Sequence, residues 1–319
     1  MPSVNVGTLP PQVQQRYNSK ILSTPERNTI HNLFSTPVRI EDMQGNIDRQ
    51  SRYEALDRFP VPVDNTQTNP PSQLLNRVDI DCRVRNYSTY IVITKDVLLT
   101  NEDPILNSAA ARLGQATRET EDILQRDNLE SSAALVNCVA GGNGDLPTQI
   151  SVDDTDDIVA LLQDNDGDFI TNMIEATDKI GTSSIGDSYA AMCTTRMIPS
   201  LNKMDDFIRK FRYPNVKDTL TSEWGGINNI RFFVSSQGSV TPNASLLGND
   251  VANIFITAKE GYKVATRDSG DGRYIYLPPG YNNDPCKLRA TVATNFYQGQ
   301  CIDQDLWVQK LRATGLRAI

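Results

Sequence analysis

The chain has 319 residues, enough to bury a sizeable core in one large or two medium domains. Its 31 Lys and Arg against 39 Asp and Glu give a formal net charge of -8, which disfavours free nucleic acid as a partner. The single histidine, His31, excludes a zinc site with several histidine ligands and any histidine-dependent nucleophilic catalysis that does not use that residue. The five cysteines are scattered without a CxxC pair, as is typical of reduced thiols in a cytosolic product.

The first segment of the chain, residues 1–37, is rich in Pro, Gln, Asn, Ser and Thr and predicts an extended arm with a short helix near Gln12–Leu22. Such a segment buries too little apolar surface to offset its own ordering entropy, so we expect it to lie on other protein. The sequence has neither a secretory leader nor a run of about 18 apolar residues, so we expect no membrane partner.

A long two-stranded ribbon is predicted for residues 38–95. Its clearest strand, Arg77–Arg85, alternates apolar with charged residues, and an earlier extended piece around Val38 and Ile40 is the expected start of the excursion. A lone ribbon is marginal in water, so we expect it to contact a neighbouring subunit. The candidate contacts are the outward charges Arg77, Asp79, Asp81, Arg83 and Arg85. Tyr90–Ile93 is predicted to return the chain to the body.

A long amphipathic helix is predicted from about residue 103 to 126, roughly 36 Å at about 1.5 Å per residue. Thr100 followed by Asp103 approximates a capping box, and Pro104 suits a first helical position. The apolar face is expected to comprise Leu106, Ala110, Leu113, Thr117, Thr120 and Leu124, with the three leucines as its core residues. The helix is interpreted either as an ordinary core helix or as the spine of an elongated subunit.

The remaining chain predicts a compact α+β region. A glycine-rich turn at residues 141–145 precedes helices expected at Val152–Gln163 and Asp168–Ile180. A closing amphipathic segment is expected around Leu306, Trp307 and Leu311. Short buried strands are predicted at Tyr189–Thr194, Ile230–Val234, Val251–Ile256, Tyr274–Leu277 and Ala290–Ala293.

The sharpest chemical motif is an acidic turn, with Asp164, Asp166, Asp168 and Glu175 at calcium-loop spacing. Phe169 stands where the loop requires glycine, so a helix cap in an acidic turn is the preferred interpretation. No phosphate-binding glycine loop or nucleophile elbow is present. We therefore expect no catalytic, cofactor-binding or metal site, and a hydrolase using a divalent ion at this turn is the least favoured alternative.

Four stretches carry a resemblance to a known family. They are Tyr87–Thr94 running into residues 101–106, Phe207–Val234 with its Gly225-Gly226-Ile227 and Arg231-Phe232-Phe233 elements, Ala258–Val264, and Cys301–Trp307. Together with the order arm, ribbon, long helix and compact region, they resemble the major capsid proteins of tailed bacteriophages. The likeness is to the branch found in short-tailed phages that carry a virion RNA polymerase.

The resemblance implies the Hong Kong 97-type fold, an α+β class with an N-arm, an extended β-ribbon loop, a long spine helix and an axial domain. It implies a non-enzymatic shell subunit in the virion, assembled as pentamers and hexamers of an icosahedral head around double-stranded DNA in the bacterial cytoplasm. Scaffolding protein, portal and a cement protein are the further partners implied. A tail or head-decoration protein is the alternative. The implied division is 1–37 arm, 38–95 extended loop, 96–140 with 289–319 peripheral domain, and 141–288 axial domain.

Some capsids of this fold are covalently locked through a lysine in the extended loop. Here no lysine occurs between Lys20 and Lys95, and an arginine guanidinium stays protonated and cannot act as the amine nucleophile. We therefore expect mature particles to be held without isopeptide bonds. Boiled, reduced particles should give one band near 35.4 kDa on a denaturing gel. A ladder of dimers to hexamers would contradict this expectation.

Overall fold

The computed structural model describes residues 26–41, 45–56, 72–100, 105–173, 186–213, 219–220, 222–267, 274–280 and 284–317. The expected arm helix at Gln12–Leu22 and the expected helix cap at Asp103 and Pro104 lie outside these residues. The helices are α1 Lys95–Thr100, α2 Ile105–Ser132, α3 Val152–Asp164 and α4 Ile198–Leu201. The strands are β1 Thr36–Ile40, β2 Ile47–Tyr53, β3 Arg77–Arg83, β4 Arg85–Thr94, β5 Ala134–Asn137, β6 Tyr189–Thr194, β7 Ile208–Arg209, β8 Glu223–Ile227, β9 Ile230–Ser235, β10 Val240–Thr241, β11 Val251–Thr257, β12 Tyr262–Arg267, β13 Tyr274–Leu277, β14 Arg289–Ile302 and β15 Val308–Ala313.

The smaller body sheet, called sheet one, is built on the long strand β14. Strand β4 pairs antiparallel along one edge of β14, while β12 and β13 pair in succession along the other edge. Strand β1 adds in parallel to β12. The first half of α2 covers one face of sheet one, where Ala109 and Leu113 pack against Ile93 and Val292. The first half of the long helix is therefore packed on a sheet, which agrees both with an ordinary core helix and with the spine of an elongated subunit.

The larger sheet, sheet two, has the order β5-β15-β11-β6-β9-β8-β7, with β10 added to β11. It is buried on both faces. Ile158 and Leu162 of α3 pack on one face, whereas Leu129 of α2 and Ile30 pack on the other. Because neither face meets water, its central strands are continuous apolar runs without alternation, and the sequence predicted them as buried strands for that reason.

Helix α2 is longer than expected and ends at Ser132 rather than near residue 126. Leu113 is 4% exposed, Leu106 and Leu124 are half-buried, and Thr120 is exposed. The last turns bury Asp122, Gln125 and Leu129, so the buried face is not the single apolar stripe that the spacing predicted. The buried side of α2 changes along its length because the first half of the helix packs on sheet one and its last turns pack on sheet two.

The ribbon consists of β2 and β3, paired antiparallel from Ile47 opposite Arg83 to Tyr53 opposite Arg77. The expected alternation of β3 is confirmed, since its apolar residues are more buried than the charged residues between them. Thr36–Ile40, expected at the start of the ribbon, instead joins sheet one. Strand β4 returns the chain to the body as predicted and leads into α1 and α2.

Two predicted elements of the second region differ. Residues 168–173 were expected to begin a helix but are irregular, and Thr171 instead forms an isolated bridge with Ser188; the rest of that prediction, to Ile180, lies outside the described residues. Tyr274–Leu277 is a strand, as predicted, but its side chains alternate between exposed and half-buried. Among the described helices, none is long and apolar enough to span a membrane.

Replacing Leu113 by Asp should destabilise the fold by about 3–5 kcal/mol, because an unpaired carboxylate would enter the apolar contact between α2 and sheet one. Chemical denaturation followed by far-UV circular dichroism measures the loss. The matched control is Ala111→Asp, at an exposed position on the same helix, which should change stability by no more than about 0.5 kcal/mol. Equal stabilities of the two variants would show that the facing of the helix is wrong.

Candidate intersubunit surfaces

The charged face of the ribbon is paired within the chain. Arg49 on β2 lies directly opposite Asp81 on β3, and its guanidinium donates two hydrogen bonds to that carboxylate, at 2.6 and 2.7 Å. Asp79 accepts from the Ser51 hydroxyl at 2.6 Å and from Arg77 Nε at 2.7 Å. The contacts of Arg49 with Asp81 and of Ser51 with Asp79 cross between the strands and support the register of a ribbon whose side chains are largely in water, whereas Arg77 and Asp79 are neighbours within β3.

The same hydrogen bonds hold the two carboxyl groups in their charged form. The hydrogen bond from Ser51 and then that from Arg77 lower the pKa of Asp79 below its ordinary value. The hydrogen bond from Arg49 likewise lowers the pKa of Asp81. Both pairs are exposed to solvent, so their contribution to stability is small despite their good geometry. Their structural effect is to fix the direction of the side chains.

The five ribbon residues predicted to meet another subunit therefore fall into two groups. Arg77, Asp79 and Asp81 have partners on the ribbon itself. Arg83 and Arg85 are exposed, and neither forms an ion pair with a carboxylate in the part of the chain that the structure describes. Arg83 ends the ribbon strand β3, whereas Arg85, predicted on the same strand, begins β4 in sheet one. These two arginines at the base of the ribbon are the basic groups best placed to meet charges on another molecule.

An apolar groove of about 650 Å³ lies on the face of sheet one opposite α2. Tyr90 and Val92 on β4 share this face with Ile275 and Leu277 on β13, because they stand opposite the same β14 residues in the ladders. Tyr90 is 67% exposed and the nearby Leu288 is 51% exposed. A second exposed apolar pair, Leu246 and Leu247, projects from a loop beside β10. Contiguous apolar surface of this kind marks an interaction surface.

The end of the arm is fixed to α2 by a buried polar contact. Both oxygens of Asp122 are used: Oδ1 accepts from the backbone N–H of His31 at 2.7 Å and from that of Asn32 at 3.3 Å. Oδ2 lies 2.7 Å from His31 Nδ1. The Tyr262 hydroxyl donates to the His31 carbonyl at 2.6 Å. The only histidine is thus a buried anchor for the arm.

The acidic turn follows directly on the end of α3. Helix α3 ends at Asp164, and Asp166 lies in the left-handed region with φ 55°. Among the described residues no cluster of three or more His, Cys, Asp or Glu side chains is arranged to hold an ion, and Glu175 is not among those residues. The expected cap at Asp168 is wrong, because residues 168–173 are irregular; the turn instead follows the end of α3.

Sequence reasoning missed the arm anchor and the groove. His31 and Asp122 are 91 positions apart, so no local pattern joins them. The groove depends on β13 and β4 flanking the same strand, which only the topology reveals. The sequence signal for the groove was the run of tyrosines and β-branched residues in Tyr87–Thr94. The same composition is typical of a strand that is buried on both faces, so it does not by itself indicate an exposed groove.

No family model matches the chain, and no curated protein matches it. Solved phage capsid structures do match. The capsid of Ralstonia phage GP4 aligns with TM-score 0.65 at 12% identity and covers 99% of each chain. The capsid of cyanophage P-SCSP1u aligns with TM-score 0.66 at 9% identity over 94% of this chain and 92% of that chain. The capsid of Helicobacter pylori bacteriophage KHP30 aligns with TM-score 0.64 at 11% identity over 98% and 99%.

These alignments extend over nearly the whole length of both chains, so they concern the complete fold rather than a shared motif. The chain has the Hong Kong 97-type fold of phage major capsid proteins, in a mixed α+β form with few helices and many strands. At these identities the likeness concerns the fold, and the function is argued separately below.

Replacing Asp122 by Ala should cost about 3 kcal/mol of stability, because it leaves the buried N–H groups of His31 and Asn32 without an acceptor. Hydrogen exchange should accelerate most at residues 26–35. Asp127→Ala, at an exposed carboxylate on the same helix, is the control and should leave that exchange unchanged. If both variants protect residues 26–35 equally, the anchor does not hold the arm.

Proposed function

We propose that this protein is the major capsid protein of a tailed bacteriophage, which self-assembles into the pentamers and hexamers of an icosahedral head. The observation that carries the proposal is the match of the complete chain to complete capsid subunits, ribbon and spine helix included. The exposed apolar groove and the projecting ribbon support it, because both expose surface that gains from a neighbouring copy. The role is structural, and no catalytic step is proposed.

In this proposal the parts of the chain divide as the sequence suggested. Residues 1–37 form the arm, whose end is held on α2 by His31, and residues 38–95 form the extended loop, whose β2–β3 ribbon reaches over an adjacent subunit. Residues 96–140 with 289–319 form a peripheral domain, and residues 141–288 form an axial domain around the capsomer axis. Arg83 at the end of β3 and Arg85 at the start of β4 contribute to the contact, while the other three predicted contact residues are paired within the ribbon.

The enclosed material is proposed to be double-stranded DNA, held without strong specific binding. The acidic net charge of -8 supports this, since the affinity of a protein for DNA grows with each phosphate that it neutralises. A scaffolding protein, a portal and a cement protein are the proposed further partners, and assembly is placed in the host cytoplasm. The branch proposed is that of short-tailed phages that carry a virion RNA polymerase, and the local sequence likenesses support this proposal.

Negative-stain electron microscopy of the purified full-length protein tests the proposal, alone and co-expressed with the neighbouring genes of its phage. Capsomers or closed polyhedral shells are expected. Tubes or rings without closed shells would favour a tail or decoration protein and would contradict a shell-forming role. Particle sedimentation provides an independent measure, because a shell sediments far faster than a monomer.

Reversing the two free basic groups of the ribbon, Arg83→Glu with Arg85→Glu, should impair assembly and spare the folded subunit. Both side chains are exposed, so the melting temperature should change little. Each lost contact contributes only about 0–1 kcal/mol, but repetition over a shell multiplies its effect. Arg83→Lys with Arg85→Lys keeps the charge and should assemble normally. Equal shell yield from both double variants at low salt would exclude an intersubunit role for these charges.

A further inference from the structure

The base of the ribbon crosses directly over β14. The close approach occurs at Gly299, where a Cβ atom would lie 2.7 Å from the Arg83 carbonyl oxygen and 3.1 Å from Val84 Cα. Only glycine permits backbones to approach this closely. Side chains two residues apart on a strand point to the same face, so Cys301 lies on the face of β14 that the ribbon covers.

Two cysteines meet beneath this crossing. Cys82, fully buried on β3, and Cys301, half-buried on β14, belong to one packed cluster with Ile40 and Val84. Cys82 is a buried member of this cluster, and Cys301 packs against it. All five cysteines are free thiols in the structure, so this is a contact between two reduced groups.

A buried lysine lies beside the two thiols. Lys263 stands opposite Cys301 in sheet one, and its fully buried ammonium lies 3.0 Å from Asp303 Oδ1 and 3.3 Å from Asp48 Oδ2. Asp48 is in turn the cross-strand partner of Cys82. Interaction with the Cys301 thiol and the charge of Lys263 both lower the pKa of the Cys82 thiol. A neighbouring cation favours the thiolate, which is the form of cysteine that attacks an oxidant.

The other cysteines lack these features. Burial alone raises the pKa of Cys193 to about 12, and burial next to Asp154 raises the pKa of Cys138. Cys286 is exposed. Of the five thiols, the pair at the base of the ribbon is the one with a partner thiol and a fixed positive charge beside it.

We propose that Cys82 and Cys301 form a disulfide-bonding site, closed by a hydroperoxide after the protein leaves the reducing cytosol, which fixes the base of the ribbon to β14. One thiolate attacks a peroxide oxygen and the O–O bond breaks, giving a sulfenic acid and hydroxide. The second thiol attacks the sulfenic sulfur, the S–O bond breaks, and an S–S bond forms. In sum, two thiols and one hydrogen peroxide give one disulfide and two waters.

The bond joins positions more than two hundred residues apart in the sequence. Cross-links that close long loops restrict the unfolded chain most. We therefore expect oxidation to raise the thermal unfolding midpoint by roughly 5 °C. Hydrogen exchange at β2 and β3 should slow, because the crossing can no longer open.

The test treats the reduced full-length protein with a small excess of hydrogen peroxide, followed by denaturation, alkylation and intact-mass measurement. The expected product has lost two hydrogen atoms, takes up two fewer alkyl groups, and yields a Cys82–Cys301 peptide on digestion. Cys286→Ser should react as the wild type does. Cys301→Ser should form no intrachain disulfide and should show no upward shift of its unfolding midpoint in peroxide.

Several results would overturn the proposal: an unchanged mass, addition of oxygen to the cysteines, a product that links lysine to cysteine through oxygen, or a disulfide involving Cys286. Retention of the hydrogen loss in Cys301→Ser would also contradict it. None of these readouts requires assembled particles, so failure here and failure of the proposed capsid function are distinguishable.

Discussion

The structure depends on one helix that covers two sheets. The first half of α2 buries Ala109 and Leu113 on sheet one, and its last turns bury Leu129 on sheet two. A rigid helix of 28 residues therefore fixes the relative position of two otherwise separate cores. The ribbon leaves from sheet one, and Ile30 near the end of the arm packs on sheet two, so the same helix contacts both attachment points. In the proposed shell, this helix would fix the position of the ribbon relative to the arm.

Between its contact with sheet one and its contact with sheet two, α2 buries polar side chains, and one of them holds the arm. Asp122 lies at this transition, where a carboxylate in a closed interior is tolerated only with its acceptor positions filled. His31 and Asn32 fill them from the arm. An apolar residue at that position would remove the cost of burial but would also remove the directional contact. Burying Asp122 costs free energy, but its hydrogen bonds give the end of the arm a single defined position.

The sequence predicted those elements whose environment is uniform along their length. Strand β3 has one wet face, so it alternates, and strands β6, β9 and β11 have none, so they are continuous. Strand β2 was missed because IDRQSRY carries no apolar period; its pairing with β3 specifies it instead. The end of α2 was missed because its buried side changes where the helix crosses from one sheet to the other. In both cases the deciding partner is distant in the sequence.

The exposure of the charged residues of β3 was predicted, but their pairing within the ribbon was not, because Arg49 lies on the unrecognised strand β2. This pairing changes what the ribbon contributes to an assembly. Charges already satisfied within a subunit add little to affinity, and exposed pairs are weak in any case. In the proposed shell, the attraction between subunits would then come mainly from apolar surface such as the groove around Tyr90 and Leu288. Because apolar contact is not directional, the orientation of the ribbon in that shell would depend on its base, where the backbone crosses β14 at Gly299.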